Sequence, residues 1–149
     1  MKLAFRLGVA GVLFATAAHA QDPAKVYPAN YKLVLDNAEF AVYRVHYGPH
    51  ETVGVHDHSA YPTVYVYLND GGPVRFTHEE AEPFTLVRPP THKGAFRLSP
   101  GRIERHRVEN LSDAPSEFLR IELKTIPLDR RSMADASEVG LGIGAYTAR

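Results

Sequence analysis

From about Tyr31 to Lys124 the sequence is written in period two, in short runs cut roughly every ten residues by turn formers. "KLVLDNAEFAVYRVHYG" reads as two strands, Leu33–Leu35 and Phe40–Tyr47, joined by an Asp-Asn turn. "PTVYVYLNDGG" holds the strongest strand, Val64–Leu68, and its Asn69-Asp70-Gly71-Gly72 ending predicts a hairpin turn into "PVRFTHE". "FTLVR", "GAFRLS", "RIERHRVEN" and "EFLRIELK" supply further strands, separated by Pro89-Pro90, Pro100-Gly101 and "NLSDAP". Alternation turns one face of each strand to a core and the other to water, so many short strands at this spacing predict a sandwich or barrel. The chain of 149 residues suffices for one such domain and is short for two. The only helical pattern beyond the N-terminus lies around Arg130–Glu138, in a C-terminal tail (127–149) whose "GLGIGAYTAR" ending predicts irregular structure or disorder.

The first 20 residues, MKLAFRLGVAGVLFATAAHA, read as an export signal. Lys2 and Arg6 give a positive start, Leu7 to Ala18 an apolar run, and Ala18-His19-Ala20 a cleavage site. A membrane span needs roughly 20 apolar residues, so the run is too short to remain as an anchor. Cleavage would leave a lead (21–30), the β domain (31–126) and the tail. It removes two of the 17 basic residues and leaves 15 against 17 acidic ones. With no basic tract, neither nucleic acid nor an anionic membrane is an expected partner. The chain has no cysteine, which excludes disulfides, a lipid anchor on sulfur and thiol catalysis. No G-x-S-x-G elbow or phosphate-binding glycine loop is present.

Chemistry concentrates on histidine. In "TVGVHDHSAYPTVYVY" His56 and His58 stand two apart, so on a strand they share a face while Asp57 takes the other. Two imidazoles at that spacing can bind one ion in neighbouring positions, or they can be solvated rings on a loop leading into a strand. A second cluster, "GAFRLSPGRIERHRVENLSD", lies about forty residues downstream.

These two clusters resemble the paired motifs of the cupin superfamily. Gly48-Pro49-His50 sits at that family's first turn, His56 and His58 match its His-x-His, and Gly71 or Gly72 matches the closing glycine one or two places late. Gly94, five residues and then Pro100 match the opening of the second motif; His106, three residues and then Asn110 match its end. The resemblance implies an all-β fold, a cupin-like double-stranded β-helix or jelly-roll barrel in a single domain. It also implies a divalent metal held by His56, His58 and His106.

Two departures bear on that site. Gly101 follows Pro100 directly, and the stretch from Pro100 to His106 is one residue longer than the motif's, so a bulge or longer turn must absorb the excess before the histidine. The motif's glutamate would fall at Pro62 or Thr63, and no carboxylate occurs between Ser59 and Asn69. Three neutral imidazoles still suit Zn, Cu, Ni or Fe and leave positions open; some cupin enzymes, the thiol dioxygenases among them, hold iron in this way.

Other side chains have narrower readings. Glu104 shares a face with His106 and could act as substitute carboxylate, general base or partner to a histidine; with Arg102 and Arg105 it could equally form a surface ion-pair ladder, which is the reading preferred. Tyr61 could line the mouth of the barrel, and Tyr65 and Tyr67 read as packing residues. His46, His50, His78 and His92 fit no ligand spacing and read as surface residues, and Asn110 reads as the organiser of the turn before the last strand.

The expectation is therefore an exported barrel that binds a small-molecule ligand, with metal-dependent chemistry of a dioxygenase or isomerase type. A metal-free binding barrel or a homodimeric structural scaffold are the alternatives. The export reading predicts that protein recovered from the native cell begins at Gln21. Mass spectrometry decides it, and an intact Met1 on soluble cytoplasmic material would refute it.

Overall fold

A computed structural model describes residues 22–126, and nearly every run read as a strand is one. In chain order the strands are β1 (Tyr31–Asp36), β2 (Phe40–Tyr47), β3 (Thr52–His58), β4 (Thr63–Tyr67), β5 (Val74–His78), β6 (Phe84–Arg88), β7 (Phe96–Ser99), β8 (Glu104–Asn110) and β9 (Ser116–Leu123). All pairings are antiparallel: one sheet runs β1-β2-β9-β4-β7 and the other β3-β8-β5-β6. Val45, Tyr47, Val53, Val74, Val108 and Phe118 fill the space between the sheets. Period-two burial is clearest in β9, where every second residue from Ser116 to Glu122 is buried.

The β1–β2 connection is the hairpin its sequence implies. Asn37 closes it with its side-chain oxygen, accepting from the backbone N–H groups of Glu39 and Phe40 at 2.9 Å each. The turn Asn69–Gly72 departs from expectation. β4 pairs with β7 and β9 whereas β5 pairs with β6 and β8, so this turn carries the chain from one sheet to the other and closes no hairpin. Its side chains are engaged elsewhere. Asn69 accepts from the Glu117 N–H and donates to the Pro115 carbonyl, both at 2.8 Å. Asp70 accepts from the Lys93 N–H at 2.8 Å, and Gly71 bridges to Thr91.

The lead also differs from its sequence reading. It holds a one-turn helix, α1 (Pro23–Val26), capped by Asp22, whose side chain accepts from the Ala24 N–H at 3.0 Å, with proline at the first helical position. Four residues are too few to show a helical period. The helical pattern at Arg130–Glu138, the export signal and the tail lie outside the described residues.

Two local irregularities position the site. In β3, Val53 pairs with Val108 but His56 pairs with His106, so Gly54 and Val55 together oppose Arg107 alone. This bulge puts Val53, His56 and His58 on the same, buried face; unbroken alternation would turn Val53 away from the two histidines. The extra residue between Pro100 and His106 is absorbed in the connection before β8, where Gly101 has φ +82°. A β-carbon on Gly101 would lie 2.5 Å from the Ala60 carbonyl oxygen and the Tyr61 carbonyl carbon, so the turn packs directly on the segment that follows His58. Gly101→Ala should therefore lower stability by about 1–3 kcal/mol. Urea unfolding measures it, and an unchanged midpoint would contradict this account.

Candidate metal centre

β3 and β8 bring the three sequence-selected histidines together. His56 and His106 are direct cross-strand partners, and His58 lies one pleat further along opposite Glu104. All three rings are buried, and one ring nitrogen from each lies within 4.8 Å of the others. The ring centroids are 4.8 to 5.0 Å apart. The Nε2 atoms of His56 and His58 are 3.1 Å apart.

The local backbone fixes the state of His56. Its Nδ1 is 2.8 Å from the Gly54 carbonyl oxygen, which can only accept, so Nδ1 carries the proton and Nε2 presents its lone pair to the cluster. Glycine at position 54 leaves room for a neighbouring ring. A β-carbon there would stand 2.1 Å from the hydroxyl of Tyr27, which follows α1 and packs edge-on against His56 at 5.8 Å. Neither ring nitrogen of His106 has a hydrogen-bond partner although both are buried. A buried imidazole left without partners costs about 1–3 kcal/mol. An ion held by the three rings would remove that cost, and the donor set suits one.

Burial lowers the pKa of all three histidines, strongly for His58 and His106, and the buried Arg120 guanidinium lowers each further. The rings are consequently neutral, the form that ligates metal.

The remaining candidates fall as follows. Asp57, on the opposite face of β3, receives both carboxylate contacts from Arg105 Nη1 at 3.1 Å. Glu104 accepts from Arg102 Nε at 3.3 Å, as in the ladder reading, while its other oxygen is 4.0 Å from His106 Nδ1, too far for a hydrogen bond. Tyr61 is exposed and lines a cavity of about 370 Å³ that reaches His58, Tyr31, Arg120 and Glu122. Tyr65 and Tyr67 are packing residues; the Tyr65 hydroxyl accepts from Arg120 Nη1 at 2.7 Å. Asn110 holds its turn by donating to the carbonyls of Gly48 and Ala114 at 2.8 and 2.9 Å. His50 and His92 are exposed, and His46 is half-exposed on Glu117.

His78 does not belong on the surface, contrary to its sequence reading. It is 3% exposed, pairs across the strand with His106 and stacks on Phe84 at 4.2 Å. Val74, Phe76 and His78 share one face of β5, and in this barrel that face points inward. The sequence reading also passed over the lead and β1. Tyr27 packs on His56, and the Tyr31 hydroxyl lies 2.9 Å from His56 Nε2 and 2.6 Å from the Tyr47 hydroxyl.

Four buried histidines with lowered pKa values, His78 included, tie stability to pH. Below the unfolded value of about 6.5, the unfolded chain binds protons that the folded chain refuses, so acid favours unfolding. Metal-free protein should be stable above about pH 7 and lose up to about 1.4 kcal/mol per pH unit per histidine as pH falls from about 6.5 toward the folded values. Urea titrations at several pH values measure the slope, and a flat profile between about pH 7 and 5 would contradict the burial.

No family model matches the chain, and no curated protein matches it by sequence. Solved structures do. A cupin domain from Bordetella pertussis Tohama I superposes with TM-score 0.53 at 24% identity, over 64% of this chain and 92% of that one. A Klebsiella pneumoniae protein with a double-stranded β-helix domain matches at TM-score 0.44 and 14% identity, over 64% of this chain and 76% of its own. A cupin-family protein from Methanocaldococcus jannaschii matches at TM-score 0.44 and 14% identity, over 62% and 77%. With its two antiparallel sheets and the Bordetella domain as counterpart, the chain has the cupin fold, a double-stranded β-helix.

Proposed function

We propose that this is an exported protein that holds one divalent metal through His56, His58 and His106 and uses it on a small molecule. The observation that carries the reading is His106: both of its ring nitrogens are buried without a partner, and the ring faces two other neutral imidazoles. Zinc, copper, nickel or iron suits three imidazoles, and the usual order of affinities favours copper or zinc. Bound there, the ion would supply Lewis-acid polarisation of a substrate oxygen or, if iron or copper, redox chemistry.

The chain's own residues perform the rest. Gly54 fixes the orientation and tautomer of His56 through its carbonyl. Phe76 and His78 pack their rings against His106 at 5.4 and 5.1 Å and exclude water from that side. The cavity beside His58 gives a small molecule an approach past Tyr61, with Arg120, Glu122 and Tyr43 along its walls. A metal-free binding barrel would keep its histidines apart, and here they converge. Leu33, Val34 and Leu35 are all exposed on β1, an edge strand, and this apolar edge supports a homodimer that covers it.

Metal analysis of untagged protein tests the reading. The wild type should carry about one ion per chain, and His106→Ala should lose most of it while its circular dichroism stays that of a β protein. Full metal content in that variant, or none in the wild type, would overturn the assignment.

A further inference from the structure

We infer that Tyr31 is the fourth protein ligand of this centre and supplies, from β1, the anionic oxygen that the sequence lacks after His58. The inference rests on the three-histidine reading. It starts from the direction of a hydrogen bond. Because His56 Nδ1 carries the proton, His56 Nε2 can only accept, so a hydrogen bond with the Tyr31 hydroxyl 2.9 Å away has Tyr31 as its donor. The Tyr31 oxygen thus lies beside the electron pair that would hold the ion. The same oxygen shares a 2.6 Å hydrogen bond with the Tyr47 hydroxyl, and with its proton directed to His56 it has lone pairs free to accept there.

The distances fit ligation. Two ligand atoms at right angles around one ion, each at 2.0–2.2 Å from it, stand about 2.8–3.1 Å apart. From His56 Nε2, the Tyr31 oxygen is at 2.9 Å and His58 Nε2 at 3.1 Å. Both therefore sit where neighbouring ligands of a shared ion sit. The Tyr31 ring also packs on both histidines, with centroids 5.0 Å from His56 and 5.8 Å from His58. The oxygen is reached from the sheet facing the histidines, so it closes the side of the site that β3 and β8 cannot.

Charge argues the same way. Three imidazoles leave a divalent ion with its full double charge in a buried site, next to the Arg120 guanidinium. A phenolate halves that charge, as the motif's glutamate would. Binding would replace the O–H bond of Tyr31 with an oxygen–metal bond and release the proton to solvent, the ion's charge offsetting the burial that raises the Tyr31 pKa. The Tyr47 hydroxyl, 2.6 Å from that oxygen, could then donate to it and stabilise the charge. Glu104 is poorly placed for the role, since one of its oxygens is engaged by Arg102 and the other is 4.0 Å from the nearest ring nitrogen of His106.

Iron is a suitable probe because a tyrosinate bound to Fe(III) gives an intense visible charge-transfer band and resonance-enhanced phenolate modes. Untagged protein stripped of metal is loaded with Fe(II) and oxidised with ferricyanide. Wild type and Tyr47→Phe should both show the band, at different energies, and Tyr31→Phe should lose it. Tyr31→Phe should still bind iron through the histidines, with affinity reduced at least about 10–100-fold in chelator competition. Iron bound at full stoichiometry by wild type, removed by His106→Ala, yet without the band would overturn the tyrosinate ligand and leave the three-histidine site standing. No bound iron in the wild type, or equal iron in His106→Ala, would overturn both. Should Tyr31→Phe fail to fold, the wild-type and Tyr47→Phe spectra decide: the band in both supports Tyr31, and its absence from both refutes it.

Discussion

Which side chains enter the barrel is decided by the single extra residue in β3. An antiparallel pair without irregularity would place Val53 and Val55 together and send His56 to the other face. Because Gly54 and Val55 both oppose Arg107, the strand regains its register after the bulge with His56 directly across from His106. The same residue that makes the bulge then fixes the chemistry. Gly54 turns its carbonyl onto His56 Nδ1, leaves room for Tyr27, and so commits the ring to one tautomer and one direction. Register, orientation and protonation state of His56 all descend from this position.

A polar cluster in the interior is costly, and the surrounding structure shows how the cost is contained. Arg120 is buried with Glu122 at 3.0 Å and the Tyr65 hydroxyl at 2.7 Å, so its charge is paired and hydrogen-bonded. Arg88, also buried, lies over the Tyr67 ring at 4.8 Å and reaches the Ser116 hydroxyl at 3.3 Å. The valines and aromatic residues of the core occupy the space between the sheets, where no polar group needs a partner. A few buried atoms among the described residues lack a partner, Arg88 Nε and the hydroxyls of Ser59 and Thr91 among them, and His106 has both of its ring nitrogens unmet. Two unmet nitrogens on one buried ring that faces two other imidazoles are what an ion held there would satisfy.

The strands were legible in the sequence because period two is a local signal; alternation put His56 and His58 on one face, and His106 joined them only through the resemblance of the two clusters to the cupin motifs. His78 was legible too, had the same rule been applied to β5: it falls on the face of Val74 and Phe76, and a histidine on an apolar face belongs inside. The sheet assignment of β5 was not. Asn-Asp-Gly-Gly suits a hairpin and a crossover equally, and what separates them are bonds to Glu117, Pro115 and Lys93, more than twenty residues away. Tyr27 and Tyr31 were hidden for a similar reason. Neither carries a ligand spacing: Tyr27 reaches His56 from the turn after α1, and Tyr31 does so because β1 lies in the sheet opposite β3 and β8.

That opposition between sheets also bears on how a barrel can lose a motif carboxylate and keep a site. A glutamate a few residues after His58 would reach the lumen from the segment leading into β4, close in sequence to the histidines it serves. In this chain that segment is Tyr61-Pro62-Thr63, with the Thr63 hydroxyl turned back to the Tyr61 carbonyl at 3.0 Å and Gly101 packed against its backbone. It is therefore closed to a ligand role, and the only hydroxyl within hydrogen-bond distance of a cluster nitrogen among the described residues is that of Tyr31. A longer side chain from the facing sheet substitutes in reach for a shorter one from the same sheet. The aromatic ring that gives it this reach also fills the interior, so the oxygen arrives already desolvated and held by Tyr47. Under the proposed ligation, packing and metal binding become demands on the same residue, and the hydrophobic pattern that places it records only the first.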